Sequence, residues 1–170
     1  MYGNVKYKYY CTHCFTNMFP SNPLVLQVHK KSKENYVRDF LNEHFDGFVH
    51  DHPLWIGECD CSHRRRIDHR KLIGNTLLCI ETDEKQHKRY DVEDEKIRYD
   101  DLYMIHGGKF IFIRFNPDSY MNNFNDRVNP NIKHRMDDLH SEIEKHIERI
   151  NNDDNSELLE VHYLFYDGYP

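Results

Sequence analysis

Apolar residues recur at helical spacing in three segments of the chain. The first pattern predicts a helix from about Lys33 to Phe45, with Ser32 as its N-terminal cap. The second predicts a helix from about Asp94 to His106 that ends at the Gly107-Gly108 pair. The third predicts a helix from about Ile132 to Ile150. The three apolar stripes are Val37, Phe40, Leu41 and Phe45; Ile97, Leu102 and Ile105; and Ile132, Met136, Leu139, Ile143, Ile147 and Ile150.

Two strand-like runs surround a Gly74-Asn75 pair, which is typical of a β-hairpin with a two-residue turn. The runs extend from Arg66 to Ile73 and from Thr76 to Asp83. Such a turn sets the register and places Asp68 directly opposite Glu81. Because side chains alternate between the two faces of a strand, Asp68, Glu81 and Asp83 are expected on one face.

Two more runs predict strands in the second half of the chain. The segment from Lys109 to Phe115 is apolar without alternation, as in a strand that is buried on both faces. The segment from about Glu157 to Tyr166 predicts the last strand. Strands that alternate with helices after one hairpin predict an α/β fold with a mixed central sheet, begun by the β-hairpin and flanked by helices. A chain of 170 residues suits a single domain.

Charge is unevenly distributed along the chain, whose formal net charge is −6. Residues 1–80 carry a net +3, and residues 81–170 carry −9. The overall negative charge argues against nonspecific coating of nucleic acid, although the average conceals a basic first half. No run approaches the roughly 20 apolar residues of a membrane span, and Met1 to Lys6 lacks the apolar core of a signal peptide. We therefore expect an intracellular protein of a cell or of a virus, which is neither secreted nor bound to a membrane.

The facing acids Asp68 and Glu81 indicate a cation between them, because like charges opposite each other destabilise a hairpin. The alternative is a frayed hairpin with solvated acids. Asp83, Gln86 and His87 follow directly, where side chains reach a cleft, and a His can transfer a proton near neutral pH. Carboxylates on a rigid scaffold hold hard divalent cations that activate water for phosphodiester hydrolysis. The pattern therefore predicts Mg²⁺, or Mn²⁺, as a cofactor.

These residues resemble the PD-(D/E)xK nuclease superfamily, and more narrowly the branch of very-short-patch-repair endonucleases and related homing endonucleases. The resemblance covers about residues 32–118. It is carried by Ile67-Asp68, Glu81-x-Asp83-x-x-Gln86-His87, Glu95-x-x-Arg98 and Phe112-Ile113-Arg114-Phe115. It implies a restriction-endonuclease-like core in which Glu34 is the helical acid and Asp68 and Glu81 bind the metal. The implied catalytic set is Glu34, Asp68, Glu81, Asp83, Gln86 and His87.

The sequence departs from that family at one position. The usual Lys, two residues after the second acid, is Asp83 here. Either Lys85 or His87 supplies its function, or the fold does not cleave, and both alternatives stay open. For Glu34, the alternative is capping of its own helix, since the helix dipole favours a carboxylate in the first turn.

Basic residues surround Asp68 and are suited to contact a DNA backbone. A merely solvated charged face is the alternative. Arg98 and Arg114 are expected beside the acids, where a guanidinium stabilises carboxylates and can clamp a phosphate. The predicted DNA-binding residues are Arg64, Arg65, Arg66, Arg70, Lys71 and Arg114.

Cysteine spacing predicts a structural Zn²⁺ in an N-terminal zinc-knuckle element, formed by residues 1–31 together with 57–63. A tetrahedral site needs four ligands. The five candidates are Cys11, Cys14, Cys59, Cys61 and His63. Reduced cysteines without metal are the alternative, and Cys79 is expected to be a core thiol.

The sequence thus predicts a metal-dependent DNA endonuclease, with a nuclease core over residues 32–118 and a C-terminal helix and strand over 130–167. Homing- or repair-type nicking is one alternative, and the sequence does not distinguish nicking from double-strand cutting. A zinc-stabilised nucleic-acid-binding module and a catalytically inactive nuclease-fold regulator are the rivals. One active site in each chain means that double-strand cleavage needs a homodimer or two successive nicks.

Overall fold

The computed structural model describes residues 9–10, 12–25, 33–54, 66–87 and 91–170. The chain divides into two compact units, residues 1–39 and 40–170. In the first unit, helix α1 spans Thr12–Met18, and Phe15, Val25 and Val37 are buried. Helix α2, Lys33–His44, crosses the boundary between the units and matches the predicted span to within one residue. The capping position Ser32 lies outside the described residues.

The described residues of the second unit form seven strands and two further helices. In chain order they are β1 (Val49–Pro53), β2 (Arg66–Ile73), β3 (Thr76–Thr82), α3 (Val92–His106), β4 (Lys109–Phe115), β5 (Tyr120–Met121), β6 (Arg127–Val128), α4 (Ile132–Asn151) and β7 (Leu159–Leu164). A short turn, Glu84–His87, follows β3. No helix in the described part of the chain is long and apolar enough to cross a bilayer.

Five strands form one mixed sheet in the order β1-β2-β3-β4-β7. Strand β2 is antiparallel to both of its neighbours, β1 and β3, and β3, β4 and β7 are parallel. The chain is thus an α/β protein whose central sheet is flanked by helices, as predicted. Strand β1 was not predicted, and β5 pairs with β6 in a separate two-stranded ribbon.

The hairpin has the predicted turn and register. Ile73 pairs with Thr76 across Gly74 and Asn75, and the same register continues to the His69 and Ile80 pair. Gly74 has a φ of 57°, a backbone conformation that glycine adopts without steric cost. The register that the turn predicts is therefore confirmed as far as His69.

The hairpin turn packs closely against the connection between α3 and β4. The Lys109 backbone N donates to the Asn75 carbonyl at 2.9 Å. A Cβ atom on Gly108 would lie 2.5 Å from that same carbonyl oxygen, so only glycine fits there without movement. Gly107, with a φ of 64°, caps the end of α3 as predicted.

The core lies on both faces of β3 and β4. On one face, Leu102 of α3 packs in a cluster with apolar residues of the sheet: Ile67, Leu77, Cys79, Phe110 and Phe112. The alternate residues face the opposite way and are fully buried: Leu78, Ile80, Ile111 and Ile113. Helix α4 contacts β2, β3 and β4. The predictions that Lys109 to Phe115 is a buried strand and that Cys79 is a core thiol are confirmed.

The prediction for α3 is wrong in one residue, Ile97, whose side chain is 46% exposed. The sheet-facing side of the helix instead carries Arg98, Tyr99 and Leu102. Their side chains contact residues of β3 and β4. Helix α4 matches its predicted span, but it also buries Arg135 and His146, which the apolar pattern did not indicate.

Candidate active site

Three acids meet where β2 begins and β3 ends, and we call Asp68, Glu81 and Asp83 the carboxylate cluster. Beyond the last hairpin pair, Oδ2 of Asp68 accepts a hydrogen bond from the Thr82 backbone N at 2.8 Å. Glu81 is the penultimate residue of β3. The Asp83 backbone N donates to the Phe115 carbonyl, which extends the pairing of β3 with β4. Two neighbouring strands thus hold the acids in place through their backbones.

Burial makes the charged forms of two of these acids unfavourable. Burial raises the pKa of Asp68, and the hydrogen bond from Thr82 opposes this only in part. Burial also raises the pKa of Glu81 to about 8, although the nearby Arg98 lowers it and Asp68 raises it further. Glu81 is 6% exposed. Any additional cation near the two acids would favour their charged forms.

Two arginines from different elements contact the cluster. Arg98 of α3 forms an ion pair with Oε1 of Glu81. Arg114 of β4 lies beside Glu81 in the sheet register and donates to Oδ2 of Asp83 and Oε1 of Glu95. Burial would lower the pKa of the Arg114 guanidinium, but its hydrogen bond and charge interaction with Asp83 raise it well above the ordinary value. The predicted placement of Arg98 and Arg114 beside the acids is confirmed.

Two tyrosines complete the surroundings, and neither was expected at the site. The Tyr166 hydroxyl donates to Oδ2 of Asp83. Arg114 Nη1 lies 2.9 Å from the Tyr99 hydroxyl. Tyr166 follows the last strand, so only the parallel pairing of β7 with β4 brings it to the cluster, and no local pattern marks it. Tyr99 had a signal, because Glu95, Arg98, Tyr99 and Leu102 recur at helical spacing.

The segment after the cluster has an unusual backbone. Lys85 and Gln86 have φ of 56° and 57°, a left-handed conformation that costs energy in residues with side chains. Asp118 Oδ2 accepts from the Lys85 backbone N at 2.9 Å, and Asp167 Oδ1 accepts from Gln86 Nε2 at 2.8 Å. Two acids from distant parts of the chain therefore hold this conformation. The His87 side chain lies outside the described residues.

The remaining predicted residues are distributed as follows. Glu34 lies in the first turn of α2, within the other unit. Arg66 is exposed and pairs with Asp51 at 3.2 Å. Arg70 is half-buried and donates to the His52 carbonyl, and Lys71 Nζ lies 6.0 Å from the Phe48 ring centre. Arg64 and Arg65 lie outside the described residues.

Four of the five predicted zinc ligands lie outside the described part of the chain: Cys11, Cys59, Cys61 and His63. Cys14 is described, and it is an exposed residue of helix α1.

Comparisons of the chain with protein-family models, with curated proteins and with solved structures find no match. Which metal the site suits is therefore inferred from the donor atoms of its own side chains. Among the described residues, one oxygen of each of two acids, Oδ1 of Asp68 and Oε2 of Glu81, accepts no hydrogen bond. Two carboxylates with raised pKa values and available oxygens fit Mg²⁺, which binds proteins through one or two carboxylates and completes its shell with water and phosphate.

Proposed function

We propose that the chain is a Mg²⁺-dependent DNA endonuclease with a restriction-endonuclease-like core. The observation that carries the proposal is the meeting of Asp68 and Glu81 on adjacent strands of one hairpin, both buried enough to raise their pKa values. Their spacing in the sequence resembles the PD-(D/E)xK pattern. A mixed sheet begun by a hairpin and flanked by helices is the arrangement that this resemblance implies.

The protein's own residues have separate roles in the proposed reaction. Asp68 and Glu81 hold the divalent cation. When bound, this cation polarises the scissile phosphate and lowers the pKa of a coordinated water. Arg98 fixes the orientation of Glu81, and Arg114 fixes that of Asp83, through the ion pairs already described.

Arg114 supplies positive charge close to the position where the family has a Lys and this chain has Asp83. Asp83 is 1% exposed and forms an ion pair with Arg114, which is 2% exposed. Asp83 is therefore a positioning residue in the proposal, and the general base is left to Lys85 or His87. The left-handed backbone at Lys85 and Gln86 is consistent with a functional segment, since such strain concentrates at active sites.

The DNA backbone is assigned to the basic residues that flank Asp68. Arg66 is exposed, and Arg70 and Lys71 are half-buried on the same strand. Neutralising phosphates with such residues makes affinity fall as salt rises. Arg114 is buried and belongs to the orientation of the acids, so its predicted contact with DNA is not part of this assignment.

Cleavage of supercoiled plasmid by purified variants tests the proposal. We expect Asp68→Asn and Glu81→Gln to lose at least 100-fold of the Mg²⁺-dependent nicking rate, in line with the several kcal/mol that metal polarisation supplies, at about 1.4 kcal/mol for each factor of ten. Glu93→Gln, which changes an exposed acid on α3, is the matched control and should nick at the wild-type rate. Full activity in either cluster variant would sink the assignment of these acids.

One observation favours a rival function, a nucleic-acid-binding module that does not cleave. Glu81 and Asp83 already have arginine partners within the protein, so the cluster is partly neutralised without a metal. The rival predicts that the protein shifts the anisotropy of a labelled DNA duplex equally with and without Mg²⁺, and yields no cut product with any divalent cation. The endonuclease proposal predicts product with Mg²⁺ or Mn²⁺.

The zinc-knuckle element is part of the same proposal. Four of the five candidates would supply the ligands of a structural Zn²⁺: Cys11, Cys14, Cys59, Cys61 and His63. Metal analysis of the wild-type protein against a Cys11→Ser, Cys14→Ser double variant tests it, because loss of two ligands should release the ion. An unchanged zinc content would rule the knuckle out.

A further inference from the structure

A group of side chains that are able to ligate a metal lies in the C-terminal part of the fold, on elements that carry no member of the carboxylate cluster. Glu142 and His146 lie one turn apart on α4, and His162 lies on β7. One potential ligand atom from each residue falls within 4.8 Å of the other two. We propose that these three side chains bind Zn²⁺ and thereby fasten the edge strand β7 to helix α4.

The distances suit a tetrahedral ion. Nε2 of His146 lies 2.9 Å from Oε1 of Glu142, and Nδ1 of His162 lies 3.8 Å from the same oxygen. Ligand bonds of about 2.0 to 2.1 Å at tetrahedral angles separate neighbouring ligand atoms by about 3.3 Å. The observed separations lie on both sides of that value. Side-chain rotations that lengthen the first separation and shorten the second would bring the ligand atoms around a common centre.

The surroundings hold His162 in the orientation that a ligand needs. Its Nε2 lies 3.1 Å from Oε2 of Glu160, so Nε2 carries the proton and Nδ1 is left to face Glu142. Arg149 in turn holds Glu160 through two hydrogen bonds of 2.8 and 3.0 Å. A carboxylate behind a ligating imidazole is the usual support of a protein metal site.

His146 supplies a buried imidazole in its neutral form. Its side chain is fully buried, and its ring centre lies 4.2 Å from that of His162. Burial, together with the nearby His162, lowers the pKa of His146 to about 4. Two imidazoles and one carboxylate are donors that suit a cation of borderline softness such as Zn²⁺.

Two cationic side chains, Lys145 and Arg149, contact the proposed ligands and would compete with the metal. Each of them has an alternative position. Lys145 Nζ lies 2.9 Å from Oε1 of Glu142 and is more than half exposed, so it can move into solvent. Arg149 Nη1 donates to Nδ1 of His146 at 3.1 Å. When the metal takes Nε2 of His146, the ring proton moves to Nδ1, and Arg149 turns fully to Glu160, which it already contacts.

Metal binding is expected to anchor strand β7 and to stabilise the folded protein. Strand β7 lies at the edge of the sheet and is held by β4 alone among the described strands. A metal that joins it to α4 binds the folded state only, and so raises the thermal stability of the protein with ligand concentration. Three protein ligands leave the fourth position to a water molecule.

Zinc titration of the full-length protein, in competition with a chromogenic chelator, tests the proposal. We expect His162→Ala and Glu142→Gln each to bind one equivalent of Zn²⁺ fewer than the wild type, with at least a tenfold loss of affinity at that site. Zn²⁺ should raise the melting temperature of the wild type more than that of either variant. Zinc that is bound by cysteines contributes equally to the wild type and to both variants. The difference in stoichiometry between them therefore reports only the proposed site.

His134→Ala is the matched control, because it removes an exposed His from the same helix and should keep the wild-type stoichiometry. Circular dichroism establishes that each variant is folded. If His162→Ala does not fold, Glu142→Gln decides the result, since Glu142 is only partly buried. Wild-type stoichiometry and affinity in a folded Glu142→Gln or His162→Ala protein would overturn the proposal.

Discussion

At the residue scale, two arginines supply the positive charge beside the carboxylate cluster. Arg114 comes from β4 and Arg98 from α3, so the positive charge reaches Glu81 and Asp83 from outside the hairpin. Asp83 can therefore stand where the resembled family has a Lys without leaving a buried charge unpaired. An unpaired buried carboxylate would cost several kcal/mol.

Removal of the Arg114 side chain tests this role of the buried pair. Arg114→Met leaves Asp83, 1% exposed, without its buried partner, and we expect the free energy of unfolding to fall by about 3 to 5 kcal/mol. Arg127→Ala, at an exposed arginine that hydrogen-bonds Ser119, is the control and should change it by less than about 1 kcal/mol. Denaturant unfolding measures both. Equal losses in the two variants would contradict the role of the buried pair.

The raised pKa of Glu81 predicts how stability depends on pH when no divalent cation is present. Between the ordinary value of 4.5 and the folded value of about 8, the folded protein holds a proton that the unfolded chain has lost. The contribution is fully present below about pH 4.5 and is lost as the pH rises through about 8. Its slope is at most about 1.4 kcal/mol per pH unit.

Denaturant unfolding in EDTA across that range measures this slope. Glu81→Gln should remove the decline, while Glu144→Gln, at an exposed acid of α4, should keep it. Equal slopes in the wild type and in Glu81→Gln would show that Glu81 is not the group that titrates.

The sequence showed which residues belong to the cluster, but it did not show how they are compensated. The Gly74-Asn75 turn sets a register that brings Asp68 and Glu81 to one end of the hairpin, and that information is local. The contact of Tyr166 with Asp83 joins residues 83 positions apart, through parallel pairing that no short pattern encodes. A pattern of neighbouring residues does not predict which distant strands pair, so it does not predict this contact.

At the scale of elements, helix α3 shows why an apolar pattern alone can be misleading. Its packed face carries Arg98 and Tyr99 beside Leu102, because this face covers the carboxylate cluster as well as the core. Ile97 follows the apolar pattern but faces away and is 46% exposed. A polar site beneath a helix thus replaces part of the expected apolar stripe.

Paired substitutions on α3 test which face is packed. We expect Leu102→Ala to lower the free energy of unfolding by about 2 to 5 kcal/mol, since Leu102 is fully buried in the sheet-facing cluster. Ile97→Ala should change it by no more than about 0.5 kcal/mol, because the side chain is largely solvated and alanine favours helix. A larger loss at Ile97 than at Leu102 would show that the helix is rotated.

The edge strand β1 was missed for a different physical reason. Its sequence, Val49-His50-Asp51-His52-Pro53, is polar and ends in proline. Edge strands tolerate such residues, because one side of their backbone needs no partner in the sheet. Buried strands such as β3 and β4 need apolar residues on both faces, and these two were predicted correctly.

At the scale of the whole molecule, the described residues contain one carboxylate cluster on the hairpin of the 40–170 unit. If each chain nicks one strand at a time, open-circular plasmid should accumulate before linear plasmid appears. A time course on agarose measures this order. Linear product formed at once from supercoiled plasmid would indicate that two copies act together.

The most direct test of the central claim is plasmid nicking by the wild-type protein in Mg²⁺, in Mn²⁺ and in EDTA. Asp68→Asn, purified in the same way, accounts for any contaminating nuclease. We predict open-circular product with either cation, none in EDTA and none from Asp68→Asn. Wild-type protein that binds DNA but leaves the plasmid supercoiled in both cations would contradict the endonuclease assignment.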